Sequence, residues 1–167
     1  MTISSVPSTR GPAEIRVSIL IVDDVPRNLL AIEAILGSLG HELVRANSGE
    51  EALRELALRD FAAVLLDVRM PNMDGYEVAA AVRAGNRNQH VPILFLTADD
   101  RTDEVERAFA LGAADYLQKP LNPTFLRGKV AVFVELFRKD ARIQELLDSA
   151  NQRASQAEAE AERLRLH

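Results

Sequence analysis

The chain contains no cysteine. That excludes disulfides and thiolate metal sites and fits a reducing cytoplasm. It has no apolar run approaching the ~20 residues of a membrane span, so none is expected. It also lacks a basic stripe: 20 Lys and Arg stand against 25 Asp and Glu, for a net charge of −5. Nonspecific nucleic-acid binding is therefore not expected. Residues Met1 to Pro12 are rich in Ser, Pro, Thr and Gly and lack the apolar core of a signal peptide. Residues 1–15 read as a flexible tail. The rest of the 167 residues suffices for one domain with a core and an appendage.

From Arg16 to about Gly128, apolar runs alternate with amphipathic stretches. Strands are expected near Ser18–Val22, Glu42–Ala46, Ala62–Leu66, Ile93–Leu96 and Asp115–Gln118. Most are continuously apolar, as in a parallel sheet covered on both faces. Helices are expected near Pro26–Leu39, Gly49–Arg59, Gly75–Ala84 and Arg101–Leu111, with a fifth from Pro123 onward. Pro26 and Pro123 suit first helical turns. Ser48 with Glu51, and Asp74 with Glu77, have capping-box spacing, which makes Asp74 a cap rather than a site residue. Gly40 and Gly112 stand where a left-handed residue ends a helix. Five βα units of this kind make a small doubly wound α/β sheet.

Ligands of such sheets bind beyond the carboxyl ends of the strands. Asp67 follows the apolar run Phe61 to Leu66. The pair Asp23 and Asp24, then Thr97 and Lys119, follow other strands in the same way. Three acids, a hydroxyl and an amine at one rim make a site for a phosphoryl group and a divalent cation. His41, His90 and His167 have no ligand or catalytic spacing.

The fifth helix runs on without Gly or Pro through Lys129–His167. Leu136, Asp140, Ile143, Leu147, Ala150, Ala154, Ala157, Ala161 and Leu164 recur at steps of four and three. That seam lasts about four heptads, enough to expect a coiled coil and a homodimer through residues 136–167. Its Ala-rich half buries little area, so a weak or adjustable dimer is expected. Val130, Phe133, Val134 and Phe137 are expected to pack on the sheet instead.

Four motifs then fall in register. Asp23-Asp24, Leu65-Leu66-Asp67-Val68-Arg69-Met70-Pro71-Asn72-Met73-Asp74-Gly75, Leu96-Thr97-Ala98, and Ala114-Asp115-Tyr116-Leu117-Gln118-Lys119-Pro120 resemble the receiver domain of two-component response regulators. The resemblance covers roughly Arg16 to Lys139, with the receiver at 16–135 and a coiled-coil linker helix at 136–167. It implies a flavodoxin-like strand order 2-1-3-4-5 and aspartyl-phosphate chemistry. Asp67 resembles the phosphoacceptor. Asp24, Asp67 and the backbone carbonyl of Arg69 resemble direct Mg²⁺ ligands, with Asp23 acting through a water. Lys119 and Thr97 would bind phosphoryl oxygens, Thr97 and Tyr116 would form the switch, and Pro120 resembles a cis-peptide proline. Arg69 and Asp99 flank the site and would tune phosphate lifetime or form a surface ion pair.

A histidine kinase or phosphotransfer protein is the implied partner. Such a receiver only phosphorylates and dephosphorylates itself. The chain ends in mid-register at Leu164-Arg165-Leu166-His167 and reads as the N-terminal piece of a longer protein. A sensor histidine kinase is the first expectation for the output, ahead of a diguanylate cyclase. A stand-alone dimeric adaptor or phosphate sink is the alternative. A haloacid-dehalogenase-like phosphatase needs a second Asp where Arg69 stands, and an acidic first loop would repel a flavin phosphate.

Overall fold

The computed structural model describes residues 15–98 and 101–166. The expected tail through Arg10 and Ala13, together with Asp99 and His167, lies outside them, and only Ile15 of the tail is included. Five parallel strands form one sheet in the order β2-β1-β3-β4-β5. They are β1 (Ser18–Val22), β2 (Glu42–Ala46), β3 (Ala63–Asp67), β4 (Ile93–Thr97) and β5 (Asp115–Gln118). The helices are α1 (Pro26–Leu36), α2 (Gly49–Leu58), α3 (Gly75–Ala84), α4 (Thr102–Ala110) and α5 (Pro123–Arg165). This is the expected flavodoxin-like arrangement.

Strand side chains alternate between faces, and the core divides accordingly. Ile19, Ile21, Leu65, Leu94 and Leu96 pack with α1 and α5 through Leu29, Ile32, Leu126 and Val130. Leu20, Val22, Val64, Leu66 and Phe95 pack with α2 and α3 through Ala52, Leu56, Val78 and Val82. β3 and β4 are buried along their whole length. Both faces of these strands are therefore dry, which is why they read as unbroken apolar runs.

Helix ends follow local chemistry. Asp74 accepts from the Glu77 amide at 2.8 Å while the Glu77 carboxylate accepts from the Asp74 amide at 2.9 Å, a complete capping box. Ser48 accepts from the Glu51 amide at 3.1 Å, but Glu51 reaches back to the Asn47 amide instead, also at 3.1 Å. Asn122 caps α5 through the Phe125 amide at 3.1 Å. The first helix tightens into a 3-10 turn at Gly37–Leu39 and stops at Gly40, whose φ of 74° only glycine adopts freely.

Two polar side chains hold loops far apart in sequence. Arg83 of α3 donates to the carbonyls of Gln89, Val91, Leu111 and Gly112. Asn88, at φ 58°, donates to the carbonyls of Leu56 and Arg59 and accepts from the Phe61 amide. These bonds satisfy carbonyls at the chain reversals that no helix or ladder reaches.

At 43 residues, α5 is roughly 65 Å long at 1.5 Å per residue. Leu126, Val130 and Val134 are buried, and Phe133 and Phe137 pack partly on the core. Partial cover persists to Ala141, after which every described residue is exposed. Leu136 and Asp140 line a groove against Phe61 and Pro92 of the same chain, so the first seam positions still flank the domain. Leu136, Ile143, Leu147 and Leu164 are each at least half exposed.

Candidate functional site

Antiparallel travel of the helices brings every β-to-α loop to one rim of the parallel sheet. Asp67 is the last residue of β3 and Thr97 the last of β4; each lies one step inside its strand, not just after it. Both are buried, as is Asp23, whereas Asp24 is half-buried and Arg69 exposed. One carboxylate oxygen from each of Asp23, Asp24 and Asp67 lies within 4.8 Å of the others. The three acids expected from sequence therefore meet.

The amine of Lys119 sits between two of them, 3.2 Å from Asp67 Oδ1 and 3.2 Å from Asp23 Oδ2. The Lys119–Pro120 peptide is cis, and the Lys119 amide donates to the Thr97 carbonyl at 2.7 Å. Asp23 also accepts from the Val25 amide at 2.9 Å and from Asn28 Nδ2 at 3.1 Å. Its oxygens are largely committed to the protein, while Asp24 is half-buried.

Burial raises the Asp67 pKa to about 6; Asp23 pushes the same way and Lys119 opposes it. Burial alone would lower Lys119, but the carboxylates of Asp67 and Asp23 outweigh it and raise its pKa. Hard oxygen donors at this separation suit a small divalent cation such as Mg²⁺. The donor set contains neither sulfur nor imidazole, so nothing in it favours a softer metal.

The loop beyond Asp67 is held close. Asn72 takes a left-handed φ of 68°, a conformation Asn tolerates. The Gly75 amide donates to the Val68 carbonyl at 2.9 Å. A β-carbon at Gly75 would lie 2.5 Å from the Asp67 carbonyl oxygen, so only glycine lets α3 start there. A cavity of about 370 Å³, lined in part by Ile32, Ile35, Pro120 and Leu121, opens beside Asp23 and Lys119. Tyr116, in register with Phe95, is half-buried. Sequence reasoning missed Gly75 as a steric necessity and the reach of the Tyr76 hydroxyl to α4.

A doubly wound sheet with three acids and a lysine at its switch point defines a phosphoryl-accepting class of signalling domain. The family model for the response regulator receiver domain matches residues 19–131, and the chain belongs to that family. A probable cyclic di-GMP phosphodiesterase of Vibrio cholerae is 37% identical over 68% of this chain and 25% of its own length. Sensor histidine kinase RcsC of Salmonella typhimurium is 36% identical over 81% of this chain and 14% of its own. The chain thus spans a quarter or less of these relatives. Among solved structures, chemotaxis protein CheY4 of Vibrio cholerae superposes with a TM-score of 0.67 at 31% identity, covering 71% of this chain and 99% of that one. The receiver domain of a Pseudomonas aeruginosa sensor histidine kinase, solved with magnesium in its active-site cleft, gives 0.66 at 33% identity, covering 72% and 99%.

Proposed function

We propose that Asp67 is the phosphoacceptor of this two-component receiver and that a cytoplasmic histidine kinase or phosphotransfer protein supplies the phosphoryl group. The supporting observation is the meeting of Asp23, Asp24 and Asp67 within 4.8 Å under the amine of Lys119. An Asp67 carboxylate oxygen attacks phosphorus as the P–N bond to the partner's imidazole breaks. The electron pair leaves with that nitrogen, which takes up a proton, and an acyl phosphate forms on Asp67. Little proton chemistry falls to the protein, so positioning and charge dominate. Asp24, Asp67 and the Arg69 carbonyl would hold Mg²⁺ directly and Asp23 through a water. Bound there, the ion would neutralise charge on the phosphoryl oxygens. Lys119 would exchange its bond to Asp67 for one to a phosphoryl oxygen, and Thr97 would donate to another. Tyr116 would follow Thr97 inward, a two-state change driven by a small local charge.

Acetyl phosphate labelling tests the assignment. The chain with Mg²⁺ is expected to gain a single acid-stable, base-labile phosphoryl group, and Asp67→Ala none. Labelling that survives in the variant would refute it.

The change would leave the domain along α5, which starts beside Lys119 and exits at the opposite end of the sheet. Residues 136–167 would pair with a second copy as a parallel coiled coil and pass the change to an output module. A histidine kinase is the first candidate, given the sensor kinases among the relatives. Leu147→Cys and Ala154→Cys chains are expected to form disulfide-linked dimers whose yields differ with and without beryllofluoride. Equal yields would count against coupling, and no dimer against the coiled coil.

A further inference from the structure

A groove of about 500 Å³ opens where α5 leaves the receiver, lined by Phe61 and Pro92 of the domain and by Phe133 and Phe137 of the helix. Leu136 and Asp140, the first two seam positions, also line it. Leu136 is 50% exposed, and Val132, one turn earlier and outside the seam, is 55% exposed. Scattered singly, exposed apolar residues need no partner. These two occupy fixed places in the heptad. With Leu136, Ile143 and Ala150 at d and Asp140, Leu147 and Ala154 at a, the flanking columns follow. Val132, Lys139, Arg153 and Glu160 fall at g, and Phe137, Glu158 and Arg165 at e. In a parallel, in-register pair each g residue faces the e residue of the next heptad on the other helix. Arg153 then meets Glu158 of the second copy and Glu160 meets its Arg165, opposite charges both times. Replacing the a column by Lys139, Leu146, Arg153 and Glu160 would instead bury like charges against each other.

The same register sets Val132 of the second copy against Phe137, in the groove. We propose that this groove is the receiver's own part of a dimer interface: α5 of a second copy lies across it, its Val132 covering Phe137 and its Leu136 packing on Leu136. The interface thereby continues from the coil onto the domain, and the two receivers are fixed relative to one another. The inference rests on the parallel coiled coil proposed above. Charge agrees with it. The polar lining of the groove includes Asp60 and Asp140, and the Lys139 side chain, 67% exposed, stands at the g position beside Asp140 of the second copy. Its pair with Glu135 is equally exposed and holds it weakly. Lys139 therefore offsets the repulsion between the two Asp140 carboxylates where the seam begins.

Sedimentation equilibrium of the full chain gives the dimer Kd. Val132→Asp is expected to raise it roughly tenfold or more, because each dimer loses two apolar contacts and brings two charges into an apolar groove. Val132 lies outside both core clusters of its own chain, so the substitution leaves the fold intact. Ala131→Asp, equal in charge and exposed at the neighbouring f position, should change the Kd less than about twofold. Arg153→Glu should weaken the dimer, and adding Glu158→Arg should restore it. Equal Kd values for Val132→Asp and Ala131→Asp, with Leu147→Asp still abolishing the dimer, overturn the groove and leave the coil. No restoration by the double reversal overturns the register and with it the placing of Val132. A monomeric unmodified chain, or a dimer that survives Leu147→Asp, overturns coil and groove together.

Discussion

Gly75→Ala is expected to destabilise the receiver by about 3 kcal/mol, the sum of an overpacking penalty near the upper end of ~1–3 kcal/mol and a strained hydrogen bond, less a helix gain. Two effects compete. Alanine is the better helix former by about 1 kcal/mol, and Gly75 opens α3. Against that, the new β-carbon would meet the Asp67 carbonyl oxygen at 2.5 Å, Val68 Cα at 3.0 Å and Asp67 C at 3.2 Å. All three are backbone atoms of the buried central strand or the residue after it, so they cannot swing aside as a side chain would. α3 must move, and the bond from Gly75 to Val68, 2.9 Å here, stretches with it. The clash therefore wins. Because the atom struck belongs to Asp67 itself, labelling by acetyl phosphate should slow by about tenfold or more, as for other small misplacements of a reacting group. Gly37→Ala is the control. Gly37 has φ −56° and a β-carbon there meets nothing within 4 Å, so the change should be neutral or stabilising by up to ~1 kcal/mol. Urea midpoints compare the two; equal midpoints would show that the close approach costs nothing.

That glycine marks where sequence reading ran out. The strand-end groups were legible because each is announced locally: an apolar run, then Asp67 or Thr97, and Lys119 after the short strand Asp115–Gln118. Parallel topology places all such ends on one rim, so the site could be assembled without coordinates. Contacts across elements carry no such announcement. The Arg83 guanidinium serves four carbonyls, two on the loop that follows its own helix and two on a loop nearly thirty residues away. The Asn88 side-chain amide joins three backbone groups. Tyr76 is a buried aromatic whose hydroxyl reaches the Glu104 carbonyl. The expected ranges of α1 to α4 match those observed, with ends shifted by a residue or a 3-10 turn because capping competes over single bonds. The proposed seam of α5 would belong to a pair of helices; in the single chain Leu136, Ile143, Leu147 and Leu164 are exposed.

Asp67→Asn is expected to raise the stability of the metal-free receiver at pH 8 and to leave it unchanged near pH 4. The carboxyl titrates at about 6 in the fold against 3.8 in an unstructured chain. Between those values the folded state binds more protons than the unfolded one, so stability falls as pH rises. The gap of 6 − 3.8 ≈ 2.2 units corresponds to at most about 3 kcal/mol at 1.36 kcal/mol per unit. The loss is complete above pH 6 and absent below 3.8, where Asp67 is protonated in both states. Its side chain is only 10% exposed, so solvent does little to relieve the charge. Asparagine keeps the shape of the protonated acid and does not titrate, and Lys119 retains Asp23 at 3.2 Å. The difference between variant and parent should therefore grow through pH 4–6 and then level off. Mg²⁺ narrows the difference, because a ligand that binds only the folded state adds about 2.7 kcal/mol to the parent at a hundredfold excess over its Kd, and the variant has lost one of its carboxylates. Urea titrations at pH 4, 6 and 8, with chelator or with Mg²⁺, read all of this. An Asp67→Asn chain no more stable than its parent at pH 8 in chelator would show that the buried carboxylate is not under strain. The same charge that destabilises the metal-free fold would then be no driving force for taking up a cation and a phosphoryl group.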